Sequence, residues 1–334
     1  MYILGLESSC DETSAAVVEM SEGVRKIKSN IIASQIDTHR LYGGVVPEIA
    51  SRAHIEAVSR ITYEALDAAG VKLEDIGLVA VTSHPGLIGA LLVGVNFAKA
   101  LAYANNIPLV GVNHIKGHIA ANYLAFEGLE PPFTALVVSG GHTSIYNAEN
   151  YTSLVEIGGT RDDAAGEAFD KIGRVIGLPY PAGAAMDKLA STGDKKAVTL
   201  PSPALAGDTL DFSFSGIKTA ALNYLNSAKQ AGVEINRADL AASYTEKIVS
   251  AVVKKTEMAL LQNNSKKLVV AGGVAANSHL RAALEAMCKK RKAEFYVPPL
   301  SLCGDNAAMI AAAGYYKFLD GKTADTSLNA SALD

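Results

Sequence analysis

A strand, a polar turn and a second strand occur twice in this chain, once in each half. The first copy begins with the apolar run at residues 2–6, continues through the polar turn "ESSCDETS" and ends with "AAVVEM". The second copy is "TALVVSGGHTSIYNAEN", which begins at Thr134 and has a glycine-rich turn. Apolar runs of this length on both sides of a polar turn predict β-hairpins. Their repetition predicts a duplicated architecture, with one hairpin opening each half.

Helical and strand patterns alternate through the rest of the chain. Apolar residues recur at three- and four-residue spacing over residues 48–69 and 239–262, which predicts two long helices. The segment "KKLVVAGGVAANSHLRAAL" has the pattern of strand, glycine turn and helix, and "DNAAMIAAAGYYKFL" predicts a last helix. Such interleaving indicates an α/β protein. No low-complexity linker separates the halves, so we expect them to pack around a cleft, with loops over residues 177–215.

The composition is typical of a globular protein of the reducing cytoplasm. The chain has 334 residues, of which 49% are hydrophobic and 19% charged, and this length suits two lobes with a large core. The net charge of −4 does not indicate nucleic-acid binding, although a local basic patch stays open. Three cysteines are too few for a disulfide scaffold. The first residues lack the basic region of a signal peptide.

One apolar segment, Gly86–Ala104, is long enough to resemble a membrane span. It is rich in glycine and alanine, and Asn96 and Lys99 interrupt it. A lysine in the middle of a span is costly in lipid, so the segment predicts a packed, buried helix and no membrane association.

His114 and His118 stand four residues apart in "HIKGH", where a helical pattern begins. Residues i and i+4 share one face of a helix, so both imidazoles could bind one metal ion. A zinc protease of the HExxH type needs a glutamate where this chain has Ile115. The best candidate for a third ligand is Asp305 in "LCGDNAAM", and such a set suits iron(II) or zinc. The alternative is that the histidines cap or pack a helix and that Asp305 caps the next one.

Two glycine-rich turns have the pattern of anion-binding loops. "SGGHTS" begins at Ser139 after an apolar strand, and "AGGVAANSHLR" leads into a predicted helix. Glycines let the backbone approach a ligand, and N–H groups at a helix start favour an anion. Each turn alone could be an ordinary tight turn. Together with the polar hairpin tip at residues 7–14, they predict a nucleotide cleft like that of the actin/sugar-kinase/Hsp70 (ASKHA) superfamily.

A longer set of motifs occurs in order along the chain. It comprises "LGLESSCDETSAAVV", "PGLIGALLVG", "HIKGHIAAN", "SGGHTS", "DDAAGEAFDK", "DFSFSGIKT", "GGVAANSHLR" and "CGDNAAM". Over residues 1 to about 318 the sequence resembles the TsaD (Gcp/YgjD) family, the bacterial tRNA N6-adenosine threonylcarbamoyltransferases of the Kae type. The resemblance implies an α/β, two-lobed ASKHA fold with duplicated lobes. The implied domains are an N-terminal lobe of residues 1–110, completed by a helix at 305–334, and a C-terminal lobe of residues 111–304, with a metal and nucleotide cleft at the boundary.

The resemblance also implies a reaction and a set of site residues. The reaction transfers the threonylcarbamoyl group of threonylcarbamoyl-adenylate to N6 of the adenosine 3′ of the anticodon, in tRNAs that read codons beginning with A, and releases AMP. One metal ion, iron(II) or zinc, would be bound by His114, His118 and Asp305. The implied contacts to the substrate or adenine nucleotide are Val137, Val138, Ser139, Gly140, Gly141, Asp170, Gly183, Asp187 and Asn277.

The chemistry of this reaction needs little from a protein nucleophile, because the donor is already activated. Cys10 lies in the hairpin tip, but no histidine in its local sequence would activate it, so we interpret it as structural. If a general base is needed, Asp11 and Glu12 are the candidates. The alternative for both acids is that they cap the turn.

The family resemblance implies several partners. These are tRNA, a TsaB-like non-catalytic paralogue, a TsaE-like P-loop ATPase and a separate synthase that supplies the adenylate, all in the cytoplasm. The basic candidates for tRNA contact are Cys288–Lys292 ("CKKRK"), Lys195–Lys196 and Arg52. Three rival functions remain from the residues alone: a phosphotransferase of the same fold, a metalloprotease and a non-catalytic scaffold.

Overall fold

The computed structural model describes residues 1–203, 205 and 208–333. The strands are β1 (Tyr2–Glu7), β2 (Glu12–Ser21), β3 (Val24–Ser34), β4 (Ile76–His84), β5 (Leu109–Asn113), β6 (Phe133–Val138), β7 (Thr143–Ala148), β8 (Leu154–Gly159), β9 (Lys267–Ala271) and β10 (Glu294–Tyr296). The α-helices are α1 (Ile36–Arg40), α2 (Pro47–Ala69), α3 (Ile88–Ala104), α4 (His114–Ala125), α5 (Ala165–Val175), α6 (Gly183–Ala190), α7 (Ser215–Gln230), α8 (Arg237–Gln262), α9 (Ser278–Arg291) and α10 (Ala307–Leu319). The predicted α/β class is confirmed.

The chain divides into two compact units. Unit 1 contains Met1–Pro131, Glu149–Leu154 and the segment from Pro298 onward, and unit 2 contains Pro132–Ala148 and Val155–Val297. The lobe boundaries taken from the family resemblance stay a prediction.

The sheet of unit 1 has the order β3-β2-β1-β4-β5. The strands β1, β2 and β3 pair antiparallel, whereas β4 pairs parallel with β1 and β5 parallel with β4. The sheet of unit 2 has the order β10-β9-β6-β7-β8, with an antiparallel β6–β7 hairpin and parallel β9 and β10. If the strands of each unit are numbered in chain order, both sheets have the spatial order third, second, first, fourth, fifth, with the second sheet taken from β8 to β10. The two units therefore repeat one topology, as the two hairpin patterns predict.

One face of the first sheet packs against α2 and α3. Leu4 and Leu6 of β1 share a buried cluster with Ile61 of α2 and Val95 of α3. The opposite face of β1 carries Gly5, because side chains alternate along a strand. A Cβ on Gly5 would lie 2.1 Å from the backbone oxygen of Ala307, so glycine is what lets α10 approach the sheet.

The apolar segment that resembles a membrane span is α3. It is 17 residues long, and Ala90, Leu91, Val95 and Ala98 on it are fully buried. Lys99 Nζ donates a hydrogen bond to the backbone oxygen of Leu328 at 3.1 Å. Across the ranges that the structure describes, no helix has the length and apolar character needed to span a bilayer. The prediction of a packed helix is confirmed.

Two predicted segments differ from the structure in extent. The expected loops at residues 177–215 contain α6, and residues 204, 206 and 207 of that segment lie outside the described residues. The implied helix at 305–334 is shorter, since α10 ends at Leu319 and residue 334 is not described. Beyond α10 the chain turns back, and Ala324 N donates to Leu109 O at 2.7 Å.

Candidate metal centre and glycine-rich turns

The two histidines of "HIKGH" lie on the first two turns of α4. The cap of this helix is Asn113, whose side chain accepts a hydrogen bond from Lys116 N at 2.9 Å. The cap of α10 is likewise an asparagine, Asn306, which accepts from Met309 N at 3.1 Å. Neither the histidines nor Asp305 therefore serve as the helix caps that the alternative interpretation required, and that part of it is wrong.

The three predicted ligands converge in unit 1. One potential ligand atom from each of His114, His118 and Asp305 lies within 4.8 Å of the others. Asp305 Oδ1 lies 3.2 Å from His118 Nε2 and 3.6 Å from His114 Nε2. The two imidazole rings are 4.7 Å apart and nearly perpendicular. The spacing and the single acid shared between two imidazole nitrogens are what a mononuclear site requires.

Burial supports a cation at this position. The His118 side chain is 1% exposed, and within the described chain neither of its ring nitrogens makes a hydrogen bond, although Asp305 Oδ1 lies 3.2 Å from Nε2. A buried polar atom without a partner costs about 1–3 kcal/mol, so such atoms in folded proteins usually have a role. A divalent ion would accept the lone pair of His118 Nε2 and would neutralise Asp305, so the residues present fit a metal site.

Glu7 holds His114 in the orientation that a ligand needs. Its Oε2 lies 3.0 Å from His114 Nδ1 and accepts a hydrogen bond from Thr82 Oγ1 at 2.5 Å, while Oε1 accepts from Ser9 N at 2.5 Å. A carboxylate that accepts from Nδ1–H leaves Nε2 with its lone pair directed at the metal, which is the usual arrangement around metal-binding histidines. Sequence reasoning missed this role, although Glu7 is the first acid of the chain and the last residue of β1.

The Glu7–His114 contact shifts the pKa values of both groups, and a bound cation would displace the second imidazole proton, the one on Nε2. Burial opposes ionisation of Glu7, but the charge of His114 and the hydrogen bond from it prevail and lower the pKa of Glu7. Burial also disfavours charged His114, yet Glu7 and Asp305 outweigh it and raise the pKa of His114 to about 9.

The hairpin tip contains the predicted general bases. Burial, followed by the charges of Asp305 and Asp11, raises the pKa of Glu12 to about 9, so Glu12 retains a proton to higher pH than an ordinary glutamate. Its Oε1 accepts a hydrogen bond from Ser34 Oγ at 3.1 Å. Burial and the charge of Asp11 raise the pKa of the Cys10 thiol, which disfavours the thiolate and agrees with a structural cysteine.

In unit 2, the turn between β6 and β7 is held by its own first residue. Ser139 N donates to His142 O at 2.8 Å, and Ser139 Oγ accepts from His142 N at 3.1 Å. Added Cβ atoms on Gly140 and Gly141 would meet nothing within 4 Å, so these glycines leave open space beside the backbone. The side chains of Val137 and Val138 are fully buried, so only backbone groups there could contact a ligand.

Two further glycines bring neighbouring elements against this turn. Gly166, at the start of α5, donates its N–H to Ser139 O at 3.2 Å, and a Cβ there would lie 2.5 Å from that oxygen. Gly272, after β9, has φ +92° and would place a Cβ 2.5 Å from Val138 O. Both glycine-rich motifs of unit 2 thus meet at the end of β6.

The other predicted contacts of unit 2 are grouped around the starts of α6 and α9, where Asp170 and Asp187 accept hydrogen bonds from backbone N–H groups. Asp170 Oδ1 accepts from Ala182 N at 2.7 Å, directly before Gly183 and α6, and burial raises the pKa of Asp170. Asn277 caps α9 by accepting from Leu280 N at 2.9 Å.

Asp187 joins Asn277 at the start of α9. Its two carboxylate oxygens accept from Ser278 N at 3.1 Å and pair with His279 Nδ1 at 2.7 Å. Burial opposes ionisation of Asp187, but the hydrogen bond from His279 outweighs it and lowers the pKa of Asp187. His279, which no sequence pattern singled out, serves here to hold Asp187.

The basic residues considered for tRNA contact are largely paired with acids. The contacts are Arg52–Glu48 at 2.7 Å, Lys195–Glu246 at 3.1 Å, Lys289–Glu285 at 3.1 Å and Arg291–Glu257 at 2.6 Å. Pairing of this kind reduces the local positive potential that a phosphate backbone would meet.

Solved structures share the fold of this chain at low sequence identity. HypF from T. kodakarensis aligns with a TM-score of 0.64 and 13% identity over 98% of this chain and 49% of its own. Component A of the (R)-2-hydroxyglutaryl-CoA dehydratase from Acidaminococcus fermentans aligns with a TM-score of 0.57 and 16% identity over 95% and 98% of the two chains. An ROK hexokinase from Thermus thermophilus reaches 0.52 and 14% identity over 96% and 100%. These similarities concern the fold alone, and they confirm the predicted ASKHA-like fold.

Sequence comparison is far more specific. A protein from Clostridium botulinum (strain 657 / Type Ba4), named tRNA N6-adenosine threonylcarbamoyltransferase, is 54% identical over 328 residues, which cover 98% of this chain and 96% of that protein. A protein of the same name from Clostridium perfringens (strain 13 / Type A) is 52% identical with the same coverage. The family model described as "TsaD: tRNA N6-adenosine threonylcarbamoyltransferase" matches residues 26–312. The chain therefore belongs to the TsaD family of tRNA N6-adenosine threonylcarbamoyltransferases.

Proposed function

We propose that this enzyme transfers the threonylcarbamoyl group of threonylcarbamoyl-adenylate to N6 of the adenosine 3′ of the anticodon in tRNAs that read codons beginning with A. The observation that carries the proposal is the convergence of His114, His118 and Asp305 in a chain that belongs to the TsaD family. A non-catalytic paralogue of the same fold would be expected to lack this set.

In the proposed reaction, N6 of the adenine attacks the carbamoyl carbon of the donor. A C–N6 bond forms, the bond from that carbon to the phosphate oxygen breaks, AMP leaves, and N6 loses one proton. The lone pair of N6 is delocalised into the adenine ring, so the protein must contribute mainly by positioning the amine and by polarising the carbonyl.

Unit 2 supplies plausible binding groups for the donor. The open backbone at Gly140 and Gly141 and the N-terminal end of α9 suit phosphate oxygens. Asp170 and Asp187 are carboxylates of the kind that accept hydrogen bonds from ribose hydroxyls. Backbone N–H groups already hold both carboxylates in place, so each would present its oxygens to the ribose in a fixed position.

In unit 1, His114, His118 and Asp305 would hold one divalent cation, either iron(II) or zinc. Such an ion, when bound, supplies Lewis-acid polarisation of a donor oxygen. Glu7 would keep His114 in the ligating tautomer. Asp11 and Glu12 are the proposed acceptors of the N6 proton, and Glu12 could accept it only in its ionised form, which its raised pKa of about 9 disfavours at neutral pH.

The proposed partners follow from family membership. They are the tRNA substrate, a TsaB-like paralogue, a TsaE-like P-loop ATPase and a synthase that makes the adenylate from threonine, bicarbonate and ATP. Cytoplasmic localisation is part of the same proposal.

The test is formation of the modified nucleoside by the purified protein. Unmodified tRNA is incubated with the protein, its proposed partners, threonine, bicarbonate and ATP, and digested nucleosides are identified by mass spectrometry. Asp305→Asn keeps the shape of the side chain but removes the anionic ligand. Removal of an outer partner of a metal ligand typically lowers activity ~10–100-fold. Because Asp305→Asn removes a ligand itself, we expect its rate of nucleoside formation to fall by more than that.

Glu22→Gln is the matched control, because Glu22 is exposed in the β2–β3 turn. Supplying the adenylate donor directly removes the dependence on the synthase. If the wild-type protein forms no modified nucleoside with every partner present, or if Asp305→Asn matches the wild type, the proposal is wrong.

A further inference from the structure

A cavity of about 220 Å³ lies within unit 1. Its walls come from the ends of β4 and β5, from α4, from the second half of α10 and the residues just beyond it, and from the segment at residues 149–154. The lining, taken over the described residues, includes none of His114, His118 and Asp305. The cavity is therefore separate from the candidate metal centre, and the proposed reaction does not use it.

Three lysines line this cavity, which we call the lysine cavity. They are Lys116 on α4, Lys317 on α10 and Lys322 just beyond α10. Lys116 stands two residues from each histidine of "HIKGH", and residues two apart do not share a helix face. Its side chain therefore leaves α4 on a different side from the two imidazoles.

Carboxylates offset only part of the positive charge. Lys322 Nζ lies 3.1 Å from Asp320 Oδ2. Lys317 Nζ instead donates to a neutral acceptor, the backbone oxygen of Gly111, at 2.6 Å. In the portion of the chain that the structure describes, the Lys116 ammonium makes no ion pair. This differs from the exposed lysines and arginines described above, which lie beside glutamates.

Such a cluster is unexpected in a chain whose net charge is −4. Ammonium groups that share a cavity repel one another, and the repulsion is stronger where water is partly excluded. Burial, followed by the charges of Lys116 and Lys322, lowers the pKa of Lys317. An anion in the cavity would relieve both the repulsion and the loss of solvation.

We propose that the lysine cavity binds a phosphate group. Lysine ammonium groups are common phosphate ligands, and three of them converging from separate elements can contact several oxygens of one anion. The volume is several times the ~30 Å³ that a water molecule occupies, so a phosphate and its attached atoms fit. Asn113 also lines the cavity, at the positive end of the α4 dipole.

The phosphate can come from two sources. One is a free anion, either inorganic phosphate or a small phosphorylated molecule. The other is a backbone phosphate of RNA, an assignment that rests on the proposed function. Separate experiments distinguish the two sources.

The first experiment measures thermal stability in inorganic phosphate and in chloride at equal ionic strength. Four proteins are compared: wild type, Lys116→Gln, Lys317→Gln and the control Lys26→Gln. Lys26 is exposed on β3 and does not line the cavity. A ligand that binds only the folded state stabilises it by RT ln(1 + [L]/Kd), so it raises the melting temperature more as its concentration exceeds its Kd.

For a free anion we expect phosphate to raise the melting temperature of wild type and Lys26→Gln. The shift should fall to half or less in both cavity variants. The two substitutions lie on different helices, so a folding defect in one leaves the other informative, and circular dichroism checks each fold. Equal shifts in all four proteins would exclude the free anion.

The second experiment measures tRNA binding by fluorescence anisotropy over a range of salt, without phosphate. If a backbone phosphate enters the cavity, Lys116→Gln should weaken binding and reduce the slope of log affinity against log salt by about 1, whereas Lys26→Gln should not. Lys116→Arg, which keeps the charge, should restore binding.

The outcomes separate the hypotheses. An effect in the phosphate experiment assigns a free anion, and an effect confined to the tRNA experiment assigns an RNA phosphate. No effect of either cavity variant in either experiment shows that the cavity is not a phosphate site. If the wild-type protein binds no tRNA, that result counts against the proposed function. The phosphate experiment by itself then decides whether the lysine cavity is a phosphate site.

Discussion

Glu7→Gln replaces a buried carboxylate by an amide of the same shape beside the candidate metal centre. Ser9 N donates to Glu7 Oε1 at 2.5 Å, so the amide oxygen should take that place and the NH₂ group should face His114. The amide then favours an imidazole that accepts at Nδ1, which lies 3.0 Å from Glu7 Oε2, and that carries its proton on Nε2. Ser9 Oγ lies 3.1 Å from the same nitrogen and can donate to it as well. A protonated Nε2 has no lone pair to offer a metal.

The size of the effect follows from this contact. Loss of an outer carboxylate partner typically lowers metal affinity about 10–100-fold, which equals roughly 1.4–2.8 kcal/mol. We expect a value near the upper end, because Glu7 is only 1% exposed and water cannot take the place of the carboxylate. Thr82 Oγ1 also donates to Glu7 Oε2 and would lose its acceptor.

The assay is competition with a chromophoric chelator, using zinc in air and iron(II) without oxygen, at neutral pH. Glu22→Gln removes one carboxylate from an exposed turn and should bind the metal as the wild type does. Circular dichroism confirms that both variants are folded. If Glu7→Gln binds either metal within about twofold of the wild type, far below the expected loss, the role assigned to Glu7 is refuted.

Three further predictions concern stability. Gly5→Ala should lower the free energy of unfolding by about 3 kcal/mol or more in urea titrations, because its Cβ would lie 2.1 Å from Ala307 O, whereas Gly128→Ala, with nothing within 4 Å, should change little. Asp162→Asn should destabilise the protein at neutral pH: burial opposes ionisation, but hydrogen bonds led by that from Ser213 Oγ lower the pKa of Asp162 below 3.8. The stability that ionised Asp162 contributes is therefore present above pH 3.8 and is lost as the pH falls below it. The difference in melting temperature between wild type and Asp162→Asn should accordingly vanish in acid. A chelator should lower the melting temperature of metal-loaded wild type but not of Asp305→Asn, and an equal change in both would contradict the assignment of Asp305 as a ligand.

Local patterns predicted the elements that form the core. The hairpin at residues 2–20, the helix at 48–69 and the helix at 239–262 follow from apolar spacing within each segment, and the structure has β1–β2, α2 and α8 there. The short helix α6 was missed, since its eight residues lie among glycines and prolines that favour loops. The spacing of His114 and His118 indicated a shared ligand site from five consecutive residues alone.

The sequence by itself determined the α/β class, the repeated hairpins, the family and the identity of the candidate ligands, because each depends on local periodicity or on an ordered set of motifs. Only the tertiary structure decided that Asp305 Oδ1 lies 3.2 Å from His118 Nε2, that Glu7 holds His114, and that Lys116, Lys317 and Lys322 line one cavity. These contacts join residues far apart in the chain. The packing of α4 and α10 on one sheet brings them together, and no pattern within a short segment encodes that packing.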